Sequence, residues 1–573
     1  MLDIVELVFF YINQTSSNFI QKKGFNFSAN YNFYVDYIDE KYVLRQKKCT
    51  HKLPKDFFDE QGVITNITAV VGENGTGKTT LLNNISNYGG SVKNQDHDYE
   101  YDNYFMEKYE KDKTVAIYLE KCELVCYHNI DNFRNETGIK ECYLQQGSVG
   151  LQDIVRNNKA FESISKICIS NSMYALEDGV SIHRNINKIS LNVNSLEILK
   201  NIFYKKKIKT KSIEKTVGGW SEILDIVEHA NQVSDFQQIL DILYLQYIDE
   251  NKIESVFVKN IFVRFKIRFK NLKKMIDDRY ENFIIEEEEK EETSLKKQTE
   301  KIIPLIKINP DLYKTDIFVV IYTNLVMELL IYKRREIEDV KINNREELVD
   351  YVSSMIRELI DQKDRCAADF QEAFEEIQEY AEILDSCKRY SSSLPISNLA
   401  YVSYPEIEYR SETCGKFVKL IKKSIFKEKP SYVLRYIDIG GLQLASGERA
   451  LLNMFSWMYF IPKFKHISDN VEESFHENIL LLIDEIDLYC HPLWQQKLLN
   501  YLIEEIKAEY SNKKVQIIFT THSPIVLSDM PRSNVIFLKR ENGKCSVDEA
   551  SNHEETFGAN IYKPELFTEQ YLS

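Results

Sequence analysis

The stretch VVGENGTGKTT occupies residues 70–80 and decides the fold predicted for this chain. From Gly72, directly after the apolar run ITAVV at residues 67–71, the residues Gly72, Gly77, Lys78 and Thr79 fit the phosphate-loop spacing G-x-x-x-x-G-K-[ST]. Glycines at this spacing let backbone N–H groups close around phosphate oxygens, and the next helix presents its N-terminus to the anion. The sequence therefore predicts a nucleotide-binding loop with these members: Gly72, Glu73, Asn74, Gly75, Thr76, Gly77, Lys78, Thr79 and Thr80.

Two residues of this loop have individual predicted roles. Lys78 is expected to reach the β- and γ-phosphate oxygens, and the Thr79 hydroxyl is expected to bind Mg²⁺. ATP and Mg²⁺ are therefore the predicted cofactors. A fortuitous turn is the alternative, but the apolar strand before the loop is the context that the motif requires.

A second stretch, far along the chain, ends in paired carboxylates. NILLLI at residues 478–483 is a continuous apolar run, typical of a strand buried in a parallel sheet, and Asp484 and Glu485 follow at its carboxyl end. Asp484 is predicted to complete the Mg²⁺ site, and Glu485 to polarise the attacking water. A further predicted strand, VQIIFTT, ends at His522, which is placed to contact the γ-phosphate. Glu485 and His522 are therefore the predicted catalytic residues.

Between these stretches stands a short signature segment made of Leu444, Ala445, Ser446, Gly447 and Glu448. With the phosphate loop, the carboxylates, a D-loop aspartate and the switch histidine, it resembles the LSGGQ-like signature of ATP-binding-cassette (ABC) ATPases. The segments GENGTGKT and TTHSP, with a long insertion between the two halves, are similar to those of the SMC, RecF and OLD branch of the ABC ATPases. The resemblance implies an α/β ABC-type P-loop head with a mixed sheet, Asp487 in the D-loop, and a signature that acts in trans on the partner's nucleotide.

Two phrases near the ends narrow the resemblance. IQKKGFNFSANYNFYVDY at residues 20–37 and HEETFGANI at residues 553–561 resemble the ATPase subunit of Septu antiphage systems, PtuA, including its retron-associated relatives. This implies an ATP-hydrolysing subunit of a bacterial defence complex that forms a homodimer around ATP and regulates a separate effector. The implied effector is an HNH-type nuclease or another protein, with a reverse transcriptase or retron DNA as further partners.

The chain departs from the resembled family at two places. Ala445 stands where the family usually has a serine, so one hydroxyl donor is missing and slow hydrolysis is expected. No glutamine follows the predicted strand SKICIS, so Asn171 stands in place of the Q-loop glutamine. An HNH pattern and a carboxylate-rich Toprim segment are both absent from the sequence, so we expect no nuclease activity of its own.

Composition sets broad limits on location and partners. Among the 573 residues no apolar run reaches the roughly 18 that a membrane helix needs, and Asp3 and Glu6 stand where a signal peptide would be basic. A cytoplasmic protein without membrane contact is therefore expected. The ten cysteines form no C-x-x-C pair, which favours free thiols. The net charge of −15 argues against nucleic-acid binding over the whole surface but leaves a local basic channel open.

The hydrophobic pattern predicts a head interrupted by an insertion. Residues 1–189 are expected to form its N-terminal half, beginning with half-buried strands, and residues 433–573 its C-terminal half. Residues 190–432 are expected to form a mostly helical arm or lid. Within this insertion, residues 345–389 contain no Pro or Gly and predict one helix roughly 65 Å long. Residues 255–274 and 316–337 are the candidate helices that pack against it.

Two basic stretches support an alternative function. Residues 262–270 would show one wholly basic face as a strand, and four lysines at helical spacing would form a stripe: Lys416, Lys419, Lys423 and Lys427. Such stripes bind phosphate backbones, although ordinary solvated surface is the simpler interpretation. The alternative is an SMC- or RecF-like ATPase that clamps DNA in repair or chromosome maintenance. A transporter ATPase is disfavoured because nothing in the sequence would dock a membrane domain.

Overall fold

The computed structural model describes residues 4–15, 18–49, 52–54, 56–88, 113–143, 164–170, 182–183, 188–192, 232–251, 264–269, 306–308, 317–333, 340–391, 403–408, 410–425, 432–433, 437–440, 446–460 and 476–548. Within these ranges it contains two large sheets and several helices. No described helix is long and apolar enough to cross a membrane. The ten cysteines are all free, as predicted.

The N-terminal half begins with a mainly antiparallel lobe. Its strands are β1 (Val5–Gln14), β2 (Gln21–Asn26), β3 (Asn32–Ile38), β4 (Lys41–Lys47), β6 (Thr114–Glu120), β7 (Glu123–His128), β8 (Phe133–Asn135) and β9 (Lys140–Tyr143). One sheet has the order β2-β1-β6-β7-β9, and a smaller sheet has the order β3-β4-β8. Strand β4 pairs with β8, and β7 pairs with β9, in parallel. Alternating apolar residues predicted strands in this region, and the strands are confirmed, although β1 is buried on both faces rather than half-buried.

Strand β1 departs from a simple alternation. The sequence pattern placed Val5, Leu7 and Phe9 on one face, but the register against β6 shifts between Leu7 and Phe9. A bulge puts two successive residues on the same side, so Val8 and Phe9 both pack toward the small sheet while Leu7 and Phe10 pack toward the rest of the head. Both faces of β1 are therefore buried, which makes it the centre of the lobe.

The second large sheet carries the predicted motifs. Its strands are β5 (Ile64–Gly72), β10 (Ile164–Ser170), β11 (Ile182–His183), β12 (Lys188–Asn192), β19 (Asn478–Asp484), β20 (Lys514–Thr521), β21 (Val535–Glu541) and β22 (Lys544–Asp548), in the order β11-β12-β10-β19-β20-β5-β21-β22. The strands from β12 to β21 in this order are parallel, while the two edge strands pair antiparallel. The predicted α/β class with a mixed sheet is confirmed. Continuous apolar strands such as β19 are buried on both faces, as parallel sheets require.

Helices and short strands complete the described structure. The helices are α1 (Lys78–Asn87), α2 (Gln232–Asn251), α3 (Ile317–Lys333), α4 (Arg345–Asp361), α5 (Ala367–Asp385), α6 (Glu412–Ile425), α7 (Ser446–Phe460), α8 (Pro492–Glu509) and α9 (Pro524–Leu527), with a 3₁₀ turn at Arg532–Asn534. The short strands are β13 (Arg264–Phe269), β14 (Ile306–Ile308), β15 (Val340–Ile342), β16 (Lys388–Ser391), β17 (Ser403–Glu408) and β18 (Ile437–Gly440). Four of them form a sheet in the order β16-β17-β13-β18, so β13 and β18 pair across the predicted boundary at residue 432.

Helix α2 connects the predicted insertion to the head. The Ser456 hydroxyl of α7 donates to Asp241 of α2 at 2.8 Å, and both groups are buried. The Tyr244 hydroxyl of α2 donates to Glu505 of α8 at 2.9 Å. Apolar residues of α2, α3, α4 and α5 join the same core as the parallel sheet. The division at residues 189 and 432 stays a prediction, but the described helices of this region share a core with the head.

The single long helix predicted over residues 345–389 is wrong. Helix α4 ends at Asp361 and α5 begins at Ala367. Lys363 adopts the left-handed conformation with φ 51°, and the N–H groups of Lys363 and Asp364 cap carbonyls of the last turn of α4. The Asp364 side chain then accepts from Cys366 N at 2.9 Å and starts the next helix. A helix can therefore end without Gly or Pro when an aspartate and a left-handed lysine close its last turn.

The two helices predicted to flank that segment have different outcomes. The prediction for residues 316–337 is confirmed by α3. Residues 255–274 were predicted as a helix, but their described part forms strand β13. The basic stretch in it is therefore a strand, as its alternation of apolar and basic residues allows.

A chain of buried polar groups joins the antiparallel lobe to the parallel sheet. Asn66 Nδ2 on β5 donates to Glu6 Oε1 on β1 at 2.9 Å, and Asn534 Nδ2 donates to Asn66 Oδ1 at 2.7 Å. The Gln516 side chain on β20 accepts from Leu7 N at 2.7 Å and donates to Leu7 O at 2.8 Å. Burial raises the pKa of Glu6 to about 7, while its bond to Asn66 opposes the rise. The fold therefore favours the neutral form of Glu6.

Substituting Glu6→Gln should make the protein more stable at alkaline pH. In the parent the unfolded chain ionises Glu6 near pH 4.5 while the folded chain keeps the proton until about pH 7, so stability falls as pH rises through this window. Glutamine keeps the acceptor for Asn66 and cannot ionise, which should recover up to about 3 kcal/mol at pH 8. Melting temperatures at pH 5 and pH 8 measure the effect. The exposed Glu123→Gln is the control, and an equal pH response in parent and Glu6→Gln would contradict the assignment.

Candidate active site

The phosphate loop lies between the end of β5 at Gly72 and the start of α1 at Lys78. A Cβ atom on Gly72 would lie 2.4 Å from the Leu538 carbonyl oxygen of β21, so the neighbouring strand leaves room for glycine alone. Gly77 has φ 99° and packs against the Phe19 ring, where a Cβ would lie 2.8 Å from a ring carbon. Thr76 closes the loop by donating to Glu73 O at 2.8 Å, and the side from Glu73 to Gly75 is exposed.

Lys78 lies inside this loop. Its Nζ donates to Gly72 O at 2.8 Å and to Glu73 O at 3.0 Å, so the ammonium group is held on the backbone that the motif reserves for phosphate binding. Burial lowers the pKa of Lys78 to about 8, opposed by the carboxylates of Asp484, Glu485 and Asp487. These acidic groups therefore lie close enough to act on its charge.

The carboxylate strand meets the phosphate loop through Thr79. The Thr79 hydroxyl donates to Asp484 Oδ2 at 2.8 Å, across 405 residues of sequence. A hydroxyl and a carboxylate that are direct neighbours supply the hard oxygen ligands that Mg²⁺ prefers. These two residues therefore fit the predicted cation. The two side chains would hold Mg²⁺ together, and the cation would neutralise phosphate charge.

Thr520 is a site residue that the sequence analysis missed. Its hydroxyl donates to Asp484 Oδ1 at 2.6 Å and accepts from Glu485 N at 2.7 Å. It is fully buried at the end of β20, the strand that pairs in parallel with β19. Thr520 therefore fixes the Asp484 carboxylate and the backbone of Glu485. A hydroxyl near the carboxyl end of an otherwise apolar strand, VQIIFTT, was the signal that could have identified it.

Glu485 stands where the chain turns away from the sheet. Its φ is 53°, a left-handed conformation that costs energy for a residue with a Cβ and is found in functional turns. Burial raises the pKa of Glu485, and the adjacent Asp484 carboxylate raises it further. The environment therefore increases the basicity of the side chain predicted to polarise water.

His522 and Asp487 border the same site. Burial lowers the pKa of His522, and the nearby Lys78 charge lowers it further, so the site disfavours the protonated imidazole. Asp487 lies in the turn after Glu485 and raises this pKa by its negative charge. Asp487 Oδ1 is buried and has no hydrogen-bond partner within the described part of the chain.

The signature segment is described only in part. Leu444, Ala445 and the Q-loop candidate Asn171 lie outside the described residues, while Ser446 begins α7 and Glu448 lies in its first turn. Gly447 packs against the D-loop turn of its own chain, because a Cβ there would lie 2.3 Å from the Tyr489 carbonyl oxygen. Glycine is therefore required at this position for a reason within one chain. The predicted action of the segment in trans stays a prediction.

Comparison with known proteins gives partial matches. A family model described as "AAA domain, putative AbiEii toxin, Type IV TA system" matches residues 442–528, the segment from the signature to the switch histidine. The retron Ec83 probable ATPase of Escherichia coli is 32% identical over 103 residues, 18% of each chain. The retron Vc95 probable ATPase of Vibrio cholerae serotype O1 biovar El Tor is 29% identical over 98 residues, 17% of this chain and 18% of the relative.

A third match supports the narrower resemblance. The Septu protein PtuA of Bacillus thuringiensis is 56% identical over 45 residues, which is 8% of this chain and 10% of the relative. Across the three relatives the matched segments span 18%, 18% and 10% of their lengths. The similarity to Septu PtuA and retron ATPases predicted from the motifs is thus confirmed, and it covers less than a fifth of this chain and of each relative.

Proposed function

We propose that this chain is the ATP-binding and ATP-hydrolysing subunit of a cytoplasmic antiphage defence complex. The hydrogen bond between Thr79 and Asp484 carries the proposal, because it unites the phosphate loop with the carboxylate strand at one point. The names of the matched relatives, two retron ATPases and one Septu protein, supply the defence context.

The proposed reaction is hydrolysis of the γ-phosphate of ATP. Lys78 would leave its two backbone acceptors and bind phosphate oxygens, while Thr79 and Asp484 hold Mg²⁺. Glu485 would accept a proton from water, a role favoured by its raised pKa. His522 would contact the γ-phosphate, and its lowered pKa favours the uncharged imidazole there.

The proposed assembly is a homodimer around ATP that regulates a separate effector. The chain has one phosphate loop and one signature segment, so the signature of one subunit would complete the site of the other. The partner would be an HNH-type nuclease or another effector, with retron DNA and a reverse transcriptase in the retron-associated form. Cleavage of nucleic acid would belong to that effector.

The DNA-clamping alternative depends on two basic stretches, and the one on α6 is partly paired with acidic side chains. On α6, Lys416, Lys419 and Lys423 are exposed as predicted, but Lys416 pairs with Glu412 at 2.8 Å and Lys423 pairs with Glu379 at 2.8 Å. Lys427 of the predicted stripe lies outside the described residues.

Strand β13 is likewise paired with acidic positions. Its register places Arg264 opposite Glu408, Lys266 opposite Glu406, and Arg268 opposite Asp438. Oppositely charged residues therefore occupy facing backbone positions in this sheet.

Lys78→Ala and Glu485→Gln should separate ATP binding from hydrolysis. Lys78→Ala removes the phosphate-binding cation and should weaken ATP binding more than tenfold. Glu485→Gln should retain binding, lower hydrolysis about 100-fold and trap the closed dimer, because the general base is lost. Equilibrium binding of a fluorescent ATP analogue and phosphate release measure the two effects. Lys497→Ala, at an exposed lysine of α8, is the control, and equal ATP affinity in Lys78→Ala and parent would reject the site.

Thr520→Val should slow hydrolysis although the side chain keeps its shape. The substitution leaves Asp484 Oδ1 and Glu485 N without their shared partner, and an unsatisfied buried group costs about 1 to 3 kcal/mol. Hydrolysis should fall at least tenfold. Thr520→Ser keeps the hydroxyl and should stay near the parent in the same phosphate-release assay. Equal rates for the Val and Ser variants would show that the hydroxyl has no role.

Mixing two inactive variants tests the composite site. Any side chain at Gly447 would displace the chain's own D-loop, so Ser446→Glu is the better signature variant because its charge would repel the partner's phosphate. In a mixed dimer with Lys78→Ala, one site receives both damaged halves and the other receives both intact halves. Mixtures should recover part of the parent activity. Confirmed mixed dimers that remain inactive would contradict the arrangement in trans.

A further inference from the structure

The D-loop turn lies between the signature helix and the switch histidine of the same chain. On one side the Gly447 backbone packs against the Tyr489 carbonyl, with no side chain between them. The turn is closed by Leu488 N donating to Glu485 O at 3.1 Å and Cys490 N donating to Asp487 O at 3.0 Å. A displacement of the start of α7 would therefore push directly on the backbone of this turn.

On its other side the turn is bound by Gln495 in the first turns of α8. Gln495 Nε2 donates to Cys490 O at 3.0 Å, and its Oε1 accepts from the Ser523 hydroxyl at 2.7 Å. Both ends of one amide are used, so its orientation is fixed. The half-buried Gln495 thus connects the last residue of the D-loop turn to the residue after His522.

The other hydrogen bonds of Ser523 leave its hydroxyl proton available for the bond to Gln495. Its oxygen accepts from Ile525 N at 3.1 Å and Val526 N at 3.4 Å as the cap of α9. Its own N–H donates to Thr521 Oγ1 at 2.9 Å. The single hydroxyl proton is therefore free to point to Gln495, and a shift of Gln495 would move the segment that carries His522.

We propose that Gln495 is a positioning residue that couples the signature helix and D-loop turn of one chain to its own switch histidine, so that contact with the partner's nucleotide adjusts the placement of His522. The proposal rests on the ATPase homodimer proposed above. Its coupling path consists of one close backbone contact and two hydrogen bonds to one amide. Gln495 touches no reacting group, so its effect is on the communication between the two sites of the dimer.

The test compares Gln495→Leu with its neighbour Gln496→Leu, which changes an exposed glutamine of the same helix. Three quantities are measured on the full chain: the affinity for a fluorescent ATP analogue, kcat, and the Hill coefficient for ATP. Gln495→Leu should keep the affinity within about twofold, lower kcat at least fivefold and bring the Hill coefficient to one. Gln496→Leu should match the parent in all three.

Two further variants test the same coupling role if Gln495→Leu is unstable. Gln495→Glu retains the acceptor for Ser523 and loses the donor to Cys490 O, so it should lose cooperativity with a smaller fall in kcat. Ser523→Ala removes the other end of the bridge, and its effect should not add to that of Gln495→Leu in the double variant.

The outcomes distinguish this proposal from the proposed function. A parent that hydrolyses ATP cooperatively while Gln495→Leu keeps its kcat and Hill coefficient would overturn the coupling role and leave the ATPase assignment intact. A parent without cooperativity would also overturn the coupling role. A parent that neither binds nor hydrolyses ATP would overturn both.

Discussion

The order of three parallel strands, β19, β20 and β5, is the constraint on which the candidate site depends. Strand β20 lies between the strand that ends in the carboxylates and the strand that ends in the phosphate loop. The carboxyl ends of parallel strands meet at one edge of a sheet, and ligands bind in the crevice outside that edge. Thr79, Asp484 and Thr520 come together there although Thr79 lies 405 residues before Asp484, and Thr520 lies 36 residues after it.

The sequence predicted the parts of this site that are made of unusual patterns. A glycine-rich loop after an apolar strand, and two carboxylates after another, are combinations that packing alone does not require. Thr520 and Gln495 were missed because a threonine in a strand and a glutamine on a helix have ordinary structural uses. Their importance follows from two simultaneous hydrogen bonds each, and such bonds depend on register and helix position that a linear pattern does not contain.

The same distinction explains where the fold predicted from the sequence was wrong. Alternation predicted the antiparallel lobe, but the bulge in β1 reversed the face of Phe9, since one extra residue changes the parity of a strand. The absence of Gly and Pro predicted one helix over residues 345–389, yet Lys363 and Asp364 end it by local hydrogen bonding. Long apolar periodicity identified where elements lie. Short polar contacts determined where they end and which way they face.

Helix α7 joins the candidate site to the rest of the molecule. It begins at Ser446, beside the D-loop turn, and one face of its later turns is buried against α2 through Ser456 and Asp241. Helix α2 also contacts α8 through Tyr244 and Glu505, so two helices that start near the site both hold the same helix of the predicted insertion. A rigid helix transmits movement along its axis, because its internal hydrogen bonds resist bending. A movement at the start of α7 would therefore be passed to α2, and α2 shares one hydrophobic core with the parallel sheet.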